Sequence, residues 1–177
     1  MINSPFSLIK EIQDNNIIEG LSEREMHNPE GVGFDLCLSK IAVLESGSGS
    51  LRVDTRRTPP SREIAVSEDQ VYSLEPGQIY LATTQEVFNL PPSYAATFYP
   101  RSTLFRSGVI FQSSVCPPGY KGPLTFSLLN MHKEVFYIQQ NARFAHAVIF
   151  SVGGDVGEYR GQWQGGRRSQ SEDERQI

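Results

Sequence analysis

Apolar residues recur along most of this chain at every second position, in short runs cut off by glycine, proline and asparagine. The first segment is the exception. In "SPFSLIKEIQDNN", Ser4 and Pro5 can cap and start a helix, Leu8, Ile9 and Ile12 fall on one side of it, and the Asp-Asn-Asn run ends it. After "HNPEG", the stretch "VGFDLCLSKIAVL" alternates and is β-rich. "ESGSGS" reads as a flexible turn, and "DTRRTPPSRE" as a polar, proline-containing excursion. From Val71 onward the strand-like runs "VYSL", "IYLATT", "AATFYP", "GVIFQSSV", "PLTFSLLN", "VFYI" and "RFAHAVIFSV" follow one another, separated by turn signals such as "EPGQ", "NLPPSY" and "PPGYKG". Many short strands with one early helix predict a mainly β barrel or sandwich. The closing stretch "GGDVGEYRGQWQGGRRSQSEDERQI" is glycine-rich and polar, which predicts a mobile tail that orders only against something else. The expected division is one domain over residues 1–160 and a flexible tail over 161–177.

The period of two also assigns faces. In "PLTFSLLN", Leu124, Phe126 and Leu128 share a core-facing row, leaving Thr125, Ser127 and Leu129 opposite. In "RFAHAVIF", Phe144, His146, Val148 and Phe150 share one row, and Ala145, Ala147 and Ile149 the other. That row predicts a buried, neutral His146. The Thr125/Ser127 patch fits a site, or equally a solvated or subunit-facing surface.

Composition narrows the function classes. The 177 residues carry a net charge of -4, which argues against a general nucleic-acid or membrane-surface binder, so any anion site must be a local concentration of arginine. No apolar run approaches a membrane span and the N-terminal stretch has no continuous apolar signal region, so the chain reads as cytoplasmic. Cys37 and Cys116 read as separate buried thiols, and His27, His132 and His146 form no metal-binding spacing with them or with each other. A concentration of arginine does occur in "YPRSTLFRSGV", where Arg101, Ser102, Thr103 and Arg106 offer forked cations and hydroxyls to a phosphate chain. The plain alternative is a pair of inter-subunit salt-bridge arms. The arginines of the excursion, Arg52, Arg56, Arg57 and Arg62, read as a solvated loop rather than a second phosphate contact.

In order, "VYSLEPGQIYLATTQEVFNLPPSYAATFYPRSTLFRSGVIF", the early "GVGFDLCLS" with Asp35, "PPGYKGPLTFSLLN" ending at Asn130, "NARFAHAVIF" and "YRGQWQGGR" resemble the dCTP deaminase branch of the dUTPase superfamily. The resemblance implies a distorted jelly-roll that assembles as a homotrimer, with nucleotide sites between subunits and a C-terminal tail closing over the ligand. It implies that Arg101, Ser102, Thr103 and Arg106 hold a triphosphate, usually with magnesium. It places Val115, Cys116, Tyr120, Ser127, His146, Tyr159, Gln162, Trp163 and Gln164 around the nucleotide.

The resemblance fails where the chemistry should be. Proton transfer to a pyrimidine needs a general acid or base. The family's glutamate falls on Ser127 and the aspartate before the turn falls on Pro117, while the later glutamine is His146 and the tail lysine is Gln162. Between Arg101 and Lys133 there is no Asp or Glu. With no metal site and no catalytic residue assigned, the expected function is a homotrimer that binds nucleotides or nucleotide-derived signals without deaminating them. Such a protein would serve as a sensor or sequestering sponge, a role a virus could turn against host nucleotide signalling. The alternative is an active dCTP deaminase or dUTPase with its acid displaced, for instance to Glu86, Glu158 or His146, and a third reading is a structural module with a vestigial site.

Overall fold

The computed structural model describes residues 1–175. Ser4 caps the first helix, α1 (Pro5–Asn15), accepting from the Ser7 amide, and Asn16 ends it in the left-handed region at φ 51°. The short strand β1 (Ile18–Glu19) and helix α2 (Glu23–His27) lead into the long strand β2 (Phe34–Leu44). The excursion that follows holds three short strands, β3 (Ser50–Leu51), β4 (Thr55–Arg57) and β5 (Ser61–Glu63). Then come β6 (Val71–Leu74), β7 (Ile79–Asn89), β8 (Tyr94–Pro100), α3 (Ser102–Arg106), β9 (Val109–Gln112), β10 (Lys121–Asn130), β11 (Phe136–Gln139) and β12 (Arg143–Ser151). A single 3-10 turn (Gln164–Gly166) and β13 (Glu174–Arg175) complete the chain as described.

The principal sheet runs β8-β12-β2-β7-β10-β9, with β1 added to β7 and β5 to β2. The segment after β9 closes most of the gap back to β8. Cys116 and Ala96 exchange backbone hydrogen bonds of 2.8 and 3.0 Å, and the Ser113 hydroxyl donates to the Phe98 carbonyl at 3.1 Å. The result is the nearly closed barrel that the strand rhythm predicts. Its interior is aromatic: Phe126 lies 5.0 Å from Phe98, 4.9 Å from Phe111 and 5.9 Å from Phe144 between ring centroids. Leu124, Phe126 and Leu128 are buried, as their row predicts. Cys37 and Cys116 are separate free thiols, both buried.

The polar excursion is not a solvated loop. β4 pairs with β3 on one side and with the tail strand β13 on the other, and β5 pairs with β2. Ion pairs of both senses join it to the tail: Arg168 of the tail meets Glu63 at 2.8 Å, and Arg57 meets Asp173 of the tail at 3.7 Å. Residues 161–175 therefore pack on their own chain, and the last two positions of the expected tail, 176–177, lie outside the described residues. Close approach of the tail turn depends on glycine, since a Cβ on Gly122 would stand 2.7 Å from the Gly166 nitrogen.

Candidate functional site

Strand β8 separates two cavities. Successive strand residues point to opposite faces, so Phe98 lines one cavity while Tyr99 lines the other.

The first cavity, about 730 Å³, is floored by β10. Pro123 cannot donate to the ladder, and the β10–β7 register shifts between Pro123 and Thr125. Side chains repair the break: Tyr120 donates its hydroxyl to the Pro123 carbonyl at 2.6 Å, and Thr84 accepts from the Leu124 amide at 3.0 Å. Thr125 and Ser127 reach the cavity beside Leu124 and Phe126, with Val115, Cys116 and Tyr120 on the wall. The tail roofs it. The Tyr159 ring packs edge-on against Tyr120 at 5.6 Å, Trp163 sits above, and Arg56, Arg167 and Arg168 line the rim. Gln162 is tied to Arg56, and Gln164 clamps the turn by accepting from the Lys121 amide and donating to the Gly119 carbonyl, so neither lines the cavity. No Asp or Glu lines it among the described residues. Burial pushes the Cys116 thiol up to about 12 and also raises Tyr120, so neither supplies a base near neutral pH.

The second cavity, about 630 Å³, is bordered by Asp35, Arg101, Ser102, His146, Glu25 and Glu30. Asp35 and His146 are directly opposed across the β2–β12 ladder. The carboxylate holds three groups: Arg101, Arg143 at 2.9 Å, and His146 Nδ1 at 2.9 Å. Its own backbone amide donates to the buried Glu25 at 3.0 Å, and Glu25 in turn pairs with Arg24. Burial opposes ionisation of Asp35, but the hydrogen bond from His146 and the nearby charges, Arg101 foremost, outweigh it and hold the carboxyl below its usual range.

Several expectations change here. His146 is not buried in an apolar row; its side chain is 25% exposed, and it reaches out of β12 to a cross-strand neighbour that is a carboxylate. Arg101 and Arg106 do not converge, since Arg101 turns to Asp35 while Arg106 lies over the Phe105 ring at 5.7 Å and, like Thr103, borders neither cavity. The arginine pair is therefore an ion-pair arm within one subunit on one side and an exposed cation on the other. Of the displaced acids considered, Glu86 is wholly buried and Glu158 is exposed, and neither reaches a cavity. The sequence reading missed Glu25 and the rim arginines Arg167 and Arg168, whose place depends on contacts between distant segments. No group of three or more His, Cys, Asp or Glu able to hold a metal occurs among the described residues. Asp35 is already committed to two arginines and a histidine, so it is not a free ligand for a magnesium ion. No helix among the described residues is long and apolar enough to cross a membrane.

The model of the dCTP deaminase-like family matches residues 4–152. A Methanothermobacter thermautotrophicus protein named as a probable deoxyuridine 5′-triphosphate nucleotidohydrolase is 38% identical over 132 residues, covering 75% of this chain and 85% of that one. A Methanopyrus kandleri protein of the same name is 32% identical over 141 residues, 80% of this chain and 89% of its own. A dUMP-forming dCTP deaminase of Pseudarthrobacter chlorophenolicus is 26% identical over 94% of this chain and 92% of its own. Among solved structures, the dCTP deaminase of Agrobacterium tumefaciens superposes with a TM-score of 0.65 at 16% identity, over 86% of this chain and 49% of that one. The EIAV dUTPase superposes at 0.51 and 14%, over 82% and 95%. These relatives overturn the expectation of a protein that binds without turnover. That expectation rested on two motif positions, Ser127 and Pro117, whereas likeness to proteins named as enzymes runs the length of the domain. The physical flaw was to equate the missing acid in one cavity with a missing acid in the molecule.

Proposed function

We propose, from the premise that this chain belongs to the dCTP deaminase-like family, that it is a homotrimeric enzyme of pyrimidine deoxynucleotide metabolism that hydrolyses dUTP to dUMP and pyrophosphate. The observation that carries this reading is the division of chemistry between the two cavities. The cavity suited to a base has hydroxyls and aromatic walls but no carboxylate, while every buried acid of the site lies beside Arg101 and Ser102. Proton transfer is therefore available at phosphate and not at a pyrimidine ring, which favours triphosphate hydrolysis over deamination. In this reading Val115, Cys116, Tyr120 and Ser127 surround the base, Tyr159 and Trp163 close over it, and Arg101 with Ser102 meets the phosphates.

One nucleotide cannot touch both faces of β8 in a single subunit. A site built from the first cavity of one subunit and the second cavity of its neighbour meets both needs, and a closed threefold ring repeats it three times. Tyr99, Phe105, Ile110, Val115 and Met131, between 42% and 62% exposed, supply apolar surface for such an interface.

The test is turnover by the purified protein with dUTP and dCTP, alongside light scattering at micromolar concentration. The expected result is a trimer that releases pyrophosphate from dUTP at roughly 1 s⁻¹ or faster, within the ordinary enzyme range, and no ammonia from dCTP. A monomer, or ammonia from dCTP without pyrophosphate from dUTP, would overturn the reading.

A further inference from the structure

We propose that His146, oriented by Asp35, is the general base that activates water in this hydrolysis; the inference rests on the dUTP-hydrolase reading above. Asp35 is fixed on every side: Arg101 and Arg143 hold Oδ2, His146 meets Oδ1, and the Asp35 amide is anchored on Glu25. An ionised carboxylate only accepts hydrogen bonds, so the 2.9 Å contact requires the proton of the imidazole to sit on Nδ1. The lone pair then lies on Nε2. That nitrogen has no hydrogen-bond partner among the described residues. It stands over Gly33, where a Cβ would come within 2.8 Å of it and would overlap the Ala147 carbonyl oxygen as well. A glycine at 33 thus serves the strand pairing and leaves the basic nitrogen uncovered, at the border of the cavity that also holds Ser102.

Charges balance around the Asp35–His146 pair. Asp35 from β2 faces the imidazole, and around that carboxylate stand Arg101 from the turn before α3, Arg143 from the strand of His146, and Arg24 and Glu25 from α2, with Glu30 beyond them on Arg24. Three guanidinium groups are matched by three carboxylates, so an imidazolium formed there meets no uncompensated positive field.

The step balances. Nε2 takes a proton from water as the water oxygen bonds to the α-phosphorus. The bond from that phosphorus to the α,β-bridging oxygen breaks, and its electron pair leaves with pyrophosphate. The imidazolium then returns its proton to pyrophosphate or to bulk water. Asp35 stays ionised throughout and is a positioning residue.

The experiment is the pH dependence of dUTP turnover by the full-length wild type, His146→Gln and Asp35→Asn. Glutamine can still donate a hydrogen bond to Asp35 but cannot accept a proton. The expected result for His146→Gln is a kcat lower by about 10²–10⁴-fold, the usual contribution of a general base, with KM little changed and the acid limb of the kcat profile gone. Asp35→Asn should lower kcat and move that limb to lower pH, because the imidazolium loses its carboxylate. A His146→Gln protein that keeps wild-type kcat, or loses rate but keeps the acid limb, overturns the proposal while leaving the hydrolase reading in place. A wild-type profile with no acid limb between about pH 5 and 8, the span in which histidine changes charge, overturns it without any variant. A wild type that does not hydrolyse dUTP at all removes the hydrolase reading and this inference with it.

Discussion

Asp35 and Glu86 are both buried carboxylates on neighbouring strands of one sheet, yet they stand at opposite electrostatic extremes. Asp35 is surrounded by two arginines and a histidine and is held below its usual range. Glu86 receives the backbone amide of Cys37, at 3.0 Å to each oxygen, together with its own amide and the Cys37 thiol, and no cation pairs with it among the described residues. Burial pushes its carboxyl up to about 7, against partial relief from its own amide and from the amide and thiol of Cys37. Burial alone therefore does not decide what a carboxylate can do. The cations supplied by turns and strands around it do, and Asp35 receives them from β12 and the start of α3.

The contrast is broken most severely at Asp35. Asp35→Ala leaves Arg101 and Arg143 facing a buried gap and should cost about 3–5 kcal/mol, the range for removing one partner of a buried ion pair. Urea denaturation at pH 7 measures it, and a loss below about 1 kcal/mol would show that solvent already screens the cluster. Next comes Glu86→Gln, with the opposite sign. Because the folded state holds this proton after the unfolded chain has released it, stability should fall as pH rises from about 4.5 to about 7 and then level off. The variant should remove that slope and gain about 1–3 kcal/mol at pH 8, a discounted conversion of the shift at 1.4 kcal/mol per unit. Asp35 runs the other way: its contribution is present above the ordinary carboxyl range and is lost as pH falls through its lowered pKa. Stability curves from pH 3 to 8 should thus slope oppositely for the two sites, and parallel slopes would sink the comparison. The smallest effect belongs to Arg168 and Glu63, which join the tail to the excursion at 21% and 46% side-chain exposure. A double-mutant cycle should give a coupling below about 1 kcal/mol that fades in salt.

Local patterns announced most of the frame. Ser4-Pro5 marked the helix start, and alternation in "PLTFSLLN" placed Leu124, Phe126 and Leu128 inside. The site was legible in kind but not in arrangement. Arg101 and Asp35 are 66 positions apart and His146 and Asp35 are 111 apart, so nothing local could say that they meet. Period-two reasoning put His146 in the same row as Phe144, but it carries no information about the neighbouring strand, and that strand offered a carboxylate. The excursion and the tail failed for a related reason. Each alone is too polar to predict a strand, and β4 and β13 become strands only by pairing with each other and with β3.

If the proposed threefold ring forms, the turning of Phe98 to one cavity and Tyr99 to the other means that two defective alleles of this gene need not make a defective cell. In that ring a subunit with a blocked first cavity would still lend its phosphate face to a neighbour, and a subunit lacking Arg101 would still lend its base pocket. In a random threefold mixture of the two, about one site in four would draw both halves from intact surfaces. Co-expression of two individually dead alleles should therefore restore part of the activity, whereas two alleles damaged on the same face should restore none.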